Sequence, residues 1–204
     1  MRPGLERAST GEPVLVWRHA SPVRVLSSAS VGGGLGSASW VVNVEVDDSY
    51  RRVDLAAHIG EIAADLGLVG DGVGLLTAAR VERFGEAAED GVDVHATVGL
   101  SVPTWAAGPP EPAPVAPGTV NIVVDMPVAC TDAALVNLVM TVTEAKTQAL
   151  VEAGVPGTGT ASDAVVVTCP VDGDPEMFGG PRSQWGQQVA RCVHTAVSSR
   201  IEAA

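Results

Sequence analysis

GTVNIVVDMP at residues 118–127, TDAALVNLVMTVTEAKTQALVEAG at 131–154 and VPGTGTASDA at 155–164 decide the fold. The first piece is β-branched and apolar, the composition of a buried strand, and Pro127 closes it. In the second, Thr131 or Asp132 can cap a helix, Gly154 suits the left-handed position after its last turn, and Pro156 forbids continuation. The third is a Gly/Thr turn running into the apolar segment 164–168. Strand, helix, tight turn and strand form one crossover unit, whose two strands are expected to be parallel.

Within that helix, at about 100° per residue, Asn137, Thr141, Glu144 and Gln148 share one stripe, read as solvated. Lys146 falls on the opposite side, among Leu135, Val139, Val142 and Leu150. A lysine there either snorkels past its neighbours or is held by a buried acceptor or a substrate oxygen.

Around this unit, residues 1–12 read as a loose terminus, and 14–18 and 23–28 as two short strands separated by His-Ala-Ser-Pro. The glycine run 31–36 reads as a turn or lid, with no nucleotide fingerprint. Residues 40–46 form a strand containing Asn43. Asp54 can cap a helix whose stripe is Leu55, Ile59, Ile62 and Leu66, ended by Gly67; a strand at 73–78 follows and ends in Thr77. Residues 80–90 alternate charges and read as solvated surface. Residues 92–100 alternate strictly. Asp93, His95 and Thr97 share a face but lie about 6.6 to 7 Å apart, too far for a triad in sequence order, so a polar strand face with Thr97 lining a site is preferred. Residues 102–117 hold six of the fourteen prolines. They form an extended loop that serves either as a spacer or as a cover in which Trp105 is the apolar contact. A final helix starts near Ser183. The fold class is α/β: a single domain over 1–204, with a mixed sheet of about seven strands, three main helices and two strand–helix–strand units.

The 204 residues are 46% hydrophobic and 18% charged, with a formal net charge of −12. Such a field disfavours nucleic acid and anionic membrane surfaces. No apolar run approaches the roughly 18 residues of a membrane helix, and residues 1–13 lack the apolar core of a secretory signal, so a cytoplasmic location is expected. Three cysteines without CxxC spacing read as buried thiols, and four scattered histidines offer no metal site.

TEAK (143–146), GTGTASDA (157–164), GTVN (118–121), ATVGLS (96–101) and GVGLLTAA (72–79) occur together. As a set they resemble the adenosylcobinamide amidohydrolase family of corrinoid salvage, over roughly residues 23 to 200. The resemblance implies cleavage of the amide that joins the aminopropanol arm to the corrin ring. The substrate is thus a corrinoid small molecule that brings its own cobalt, with no further cofactor or metal. Matched by position, Asn43, Thr77, Thr97, Gly99, Asn121, Glu144, Lys146, Gly157, Thr158, Gly159, Thr160 and Asp163 are the family-like residues. The chemistry suggests Glu144 as general base on water, and Lys146 or the Gly157–Thr160 amides as oxyanion donors. The Thr158 and Thr160 hydroxyls add donors to that turn, and Asp163 positions the lysine. Asn43, Thr77, Thr97, Trp105, Asn121, Gly157, Thr158 and Gly159 are the candidate substrate-binding residues. Glu144 and Lys146 point about 160° apart on a helix, so only one of them is expected to touch substrate. The family pattern has Asn where Val31 and Val102 stand, and Thr at Ser162. The rival expectation is a non-catalytic corrinoid-binding or regulatory protein on the same fold; a more distant one is an amidohydrolase for another substrate. A homo-oligomer is compatible with either.

Overall fold

The computed structural model describes residues 1–47, 49–109 and 118–201. Its strands are β1 (Gly4–Arg7), β2 (Pro13–Ser27), β3 (Gly34–Glu45), β4 (Gly72–Thr77), β5 (Gly85–Glu89), β6 (Val92–Gly99), β7 (Thr119–Asp125) and β8 (Ala164–Cys169). The helices are α1 (Leu55–Asp65), α2 (Asp132–Glu152) and α3 (Gln184–Ser198), with a 3₁₀ turn at Val81–Arg83. None among the described residues is long and apolar enough to cross a membrane. All eight strands join one open mixed sheet in the order β4-β3-β2-β8-β7-β6-β5, with β1 added beside β2. Two pairs are parallel, β3 with β4 and β7 with β8. Each is bridged by a helix, so both expected crossover units are present.

The crossover helix forms where its signals stand. Thr131 accepts a hydrogen bond from the Ala134 N–H. At the other end Gly154 has φ +74° and the Val155 N–H returns to the Leu150 carbonyl at 3.0 Å, the left-handed stop that glycine permits. Thr141 departs from the expected solvated stripe. It is buried and donates to the Gly179 carbonyl at 2.8 Å, because the segment before α3 lies across this side of α2.

Three expectations are corrected. Residues 14–18 and 23–28 are not separate strands but one long β2, with an irregularity between Arg18 and Val23. Pro22 falls inside that irregularity, where no ladder N–H is required. Residues 1–12 are not wholly loose, since β1 pairs with Val16 to Pro13. Residues 80–90 are not only solvated surface: they hold β5, an edge strand on β6.

The bend lets β2 serve two layers. Its first half pairs with Trp40 to Val44 of β3, and its second half lies between β3 and β8. The sheet doubles over, and alternation on each strand divides the core in three. Val120, Ile122 and Val124 of β7 and Val165 and Val167 of β8 pack against α2 and α3. Val14, Val16, Val42 and Val44 pack against Ile59 and Ile62 of α1. Between the two halves lie Leu15, Trp17, Val41, Val73, Leu75, Val123 and Val166. The order of layers is therefore helix, sheet, sheet, helices, and the face-to-face contact of the two sheet halves creates the site.

His95, 5% exposed, sits in the inner layer with its ring centroid 5.7 Å from both Trp17 and Phe84. Burial, together with the N-terminal ammonium, pushes it down to about 4, against the opposing pull of Asp93, Glu86 and Asp125. Because its folded value lies below its unfolded one, the unfolded chain binds the proton first as pH falls, and stability is lost from about pH 6.5 downward to about 4. Thermal melting between pH 7 and pH 4.5 is expected to show this loss, at most about 3 kcal/mol, and His95→Gln is expected to flatten the slope.

Candidate active site

Lys146 and Asp163 are brought together. The Lys146 Nζ lies 2.5 Å from Asp163 Oδ2, with the two side chains 9% and 14% exposed. Asp163 also receives the Val120 N–H at 2.9 Å, the Thr160 hydroxyl at 2.5 Å and the Thr160 N–H at 3.1 Å. One carboxylate thus ties α2, the Gly/Thr turn and the start of β7. Of the alternatives for Lys146, the buried acceptor is the one the fold adopts, and four donors with one counter-charge satisfy that carboxylate.

The turn's glycines are required by close approach. A Cβ on Gly159 would stand 2.3 Å from Asp163 Oδ2 and 2.6 Å from Lys146 Nζ; one on Gly157 would stand 2.7 Å from the Thr104 nitrogen. The turn's amides are largely spent. Gly157 N–H goes to the Val155 carbonyl, Thr158 N–H to the Thr104 carbonyl at 2.9 Å, and Thr160 N–H to Asp163. Thr104 N–H returns to the Gly159 carbonyl at 2.8 Å, and the Thr158 hydroxyl accepts the Ala106 N–H at 3.0 Å. The Gly/Thr turn therefore clamps residues 104–106 and the ion pair, and those three N–H groups do not face a ligand. Trp105, in this clamped stretch, is 52% exposed and is not part of the cavity wall described next. Residues 110–117 of the expected cover lie outside the described residues.

Beside the ion pair opens a cavity of about 460 Å³, within the range of small-ligand sites. Its wall comes from residues 28–31 after β2, Val46, Asp47, Tyr50 and Arg51 after β3, 74–78 at the end of β4, the start of β7 and 161–164 leading into β8. The cavity lies at the C-terminal ends of β2, β3 and β4 and at the N-terminal ends of β7 and β8. The doubled sheet brings these opposite ends together. Asp163, Asn121 and Thr77 stand in this wall. Thr77 is 1% exposed and its hydroxyl accepts the Ala79 N–H at 3.0 Å. Asn43 and Thr97 lie behind Asn121: Asn43 Nδ2 donates to Thr97 Oγ1 and Asn43 Oδ1 accepts from Asn121, each at 3.0 Å. Glu144 is not brought to this place; it is exposed on the outer side of α2, away from Lys146, as helical spacing requires.

Sequence reading did not single out Thr119, Ser28, Ser30, Asp47, Tyr50 or Arg51, all in the wall, and it noted Ser162 only as a departure from the family pattern. Thr119 Oγ1 and Ser162 Oγ lie 2.7 Å apart, and Ser162 also donates to the Gly118 carbonyl at 3.1 Å. Thr119 could have been found as the residue two before Asn121 on the same strand face. Tyr50 is placed by its hydroxyl, 2.8 Å from His58 Nδ1. Val31, where the resemblance leads one to expect Asn, is also in the wall, and its carbonyl accepts the Gly74 N–H at 3.0 Å. Among the described residues no group of three or more His, Cys, Asp or Glu side chains is gathered for a metal ion.

The family model of adenosylcobinamide amidohydrolase matches residues 3–204. The chain belongs to that family. It is 34% identical over 196 residues to an adenosylcobinamide amidohydrolase of Halobacterium salinarum, an alignment covering 90% of this chain and 82% of that one. It is 28% identical over 184 residues to the enzyme of the same name from Methanosarcina mazei, covering 86% and 88%. As a member of this family the chain is a hydrolase acting on an amide.

Breaking one side of a buried pair leaves an uncompensated charge. Lys146→Met is expected to cost about 3–5 kcal/mol, read from the denaturant midpoint, and adding Asp163→Asn is expected to recover part of the loss.

Proposed function

We propose that this protein hydrolyses the amide linking the aminopropanol arm to the corrin ring of adenosylcobinamide. The products are adenosylcobyric acid and 1-amino-2-propanol, and the acid re-enters cobalamin synthesis, making the reaction a salvage step. The observation that carries this reading is the match over nearly the whole chain to a family of that activity. The cavity supports it: at about 460 Å³ it accepts a side arm and its amide, while the macrocycle rests outside. The acidic surface suits a substrate that is not an anion. No cofactor is required, since cobalt belongs to the substrate.

In this reading the arm's carboxamide lies against Thr119, Asn121, Ser162 and Asp163. A water adds its oxygen to the carbonyl carbon, the C–N bond breaks, and one water proton finishes on the departing nitrogen. Asp163, whose lone pairs are already taken, is a positioning residue that fixes the start of β7, and the water is held by the Thr119–Ser162 hydroxyl pair. The Thr119–Ser162 hydroxyl pair passes the proton to nitrogen, and Lys146 acts through Asp163 as a positioning residue, with Thr160 holding the same carboxylate. Glu144, on the outer face, takes no part. The Val31 position favours a second reading, a corrinoid binder that has lost the reaction, because it places an apolar side chain where the resemblance leads one to expect a carboxamide.

Incubation with adenosylcobinamide, followed by mass analysis, is expected to show cobyric acid and free aminopropanol; corrinoid binding without release would favour the second reading. Ser162→Ala is expected to lower kcat about a hundredfold, within the usual range for a proton-transfer group, while Glu144→Gln keeps kcat within about twofold. Loss of turnover in Glu144→Gln would return the catalytic carboxylate to α2.

A further inference from the structure

The seam between the two sheet halves holds a line of polar groups in an otherwise apolar layer. Asn43 Nδ2 donates to Thr97 Oγ1 at 3.0 Å, Asn121 Nδ2 donates to Asn43 Oδ1 at 3.0 Å, and the same nitrogen donates to the Leu76 carbonyl at 2.9 Å. A backbone carbonyl only accepts, so Leu76 sets the polarity of the line. Asn121 must turn its NH₂ toward Leu76, and Asn43 must turn its oxygen toward Asn121. With both halves of the NH₂ committed, Asn121 Oδ1 is left buried with no partner. The residue is 2% exposed and forms part of the cavity wall. A buried carboxamide oxygen without a donor is costly, and native structures keep few of them.

We propose that Asn121 Oδ1 is the acceptor for the N–H of the scissile amide, and that Asn43 and Thr97 are positioning residues that hold it acceptor-first. The identity of that amide rests on the function proposed above; the polarity of the site rests on the hydrogen-bond line alone. An asparagine free to rotate would offer NH₂ as readily as oxygen, and the Leu76 carbonyl and Asn43 remove that freedom. The site then discriminates by chemistry. A primary or secondary amide brings the required N–H, whereas an ester or an N-methylated amide presents no donor and leaves Oδ1 unpaired. Sites built to hydrogen-bond a group reject analogues that lack it far more strongly than apolar pockets reject a change of size. Holding the N–H also fixes the plane of the amide. The nitrogen is thereby presented to the hydroxyl of Thr119, two residues away on the same strand face.

The test uses three small probes titrated by NMR into the full chain: the propionamide of aminopropanol, its N-methyl derivative and the matching propionate ester. Wild-type protein is expected to bind the secondary amide about tenfold to hundredfold more tightly than the other two, the ratio set by one unmade buried hydrogen bond. Asn121→Leu is expected to erase the preference. Thr97→Val is expected to weaken it and Thr97→Ser to restore it, a rescue that a purely structural role would not show as a change in selectivity. Equal binding of the three probes by the wild type, failure of the secondary amide to bind, or a preference that survives in Asn121→Leu overturns the proposal. The wild-type comparison needs no variant, so a substitution that fails to fold does not blunt it. Adenosylcobinamide turnover measured alongside separates the two readings. Amide preference without turnover keeps the acceptor and removes the corrinoid substrate; turnover without amide preference does the reverse.

Discussion

A lysine ammonium and an aspartate carboxylate, 2.5 Å apart and mostly withdrawn from water, hold three parts of the chain in register. Lys146 comes from the middle of α2, Asp163 from the residue before β8, and the carboxylate's remaining lone pairs are taken by the Thr160 turn and by Val120 of β7. Taking two charges out of water is costly unless their geometry and hydrogen bonding are complete, and here they are. Given that pair, the spacing between α2 and the first residues of β7 and β8 is set, and so is one wall of the cavity. Gly159 has no side chain because there is no room for one beside the pair.

The other wall is supplied by the remote half of the sheet. In open α/β sheets ligands usually lie beyond the carboxyl ends of parallel strands, and the Gly/Thr turn lies at the opposite end of β7 and β8. The doubling of the sheet resolves this. It carries the carboxyl ends of β3 and β4 over the amino ends of β7 and β8, so a single cavity meets the rule from one side and breaks it from the other.

What could be read from the amino acids follows the range of the forces involved. The bounds of β7, the span of α2 and the start of α3 at Ser183 were legible, because caps, glycine stops and proline breaks act over a few residues. So was the odd placement of Lys146, since a charge in an apolar stripe demands an answer within one helical turn. The strands β1 and β5 were not, being short and mixed in polarity; their pairing comes from the open edges of β2 and β6 rather than from their own pattern. Continuity of β2 was hidden by His-Ala-Ser-Pro, which locally resembles a reversal. Of Asp93, His95 and Thr97, only Thr97 reaches the neighbourhood of the cavity, through Asn43, while His95 lies against aromatic rings. The cavity itself was not legible as a whole, since it gathers five separated segments that meet only through the doubling.

The same shared strand has a bearing on synthesis. The outer edge of β2 at Arg24 to Ser27 is closed by Cys169 to Val166, so while the chain is being made that edge has no mate until β8 has left the ribosome. Exposed edges of this kind invite pairing with other chains, and contacts so distant in sequence form slowly. The bend that builds the cavity thus also imposes a late, vulnerable stage on the newborn polypeptide.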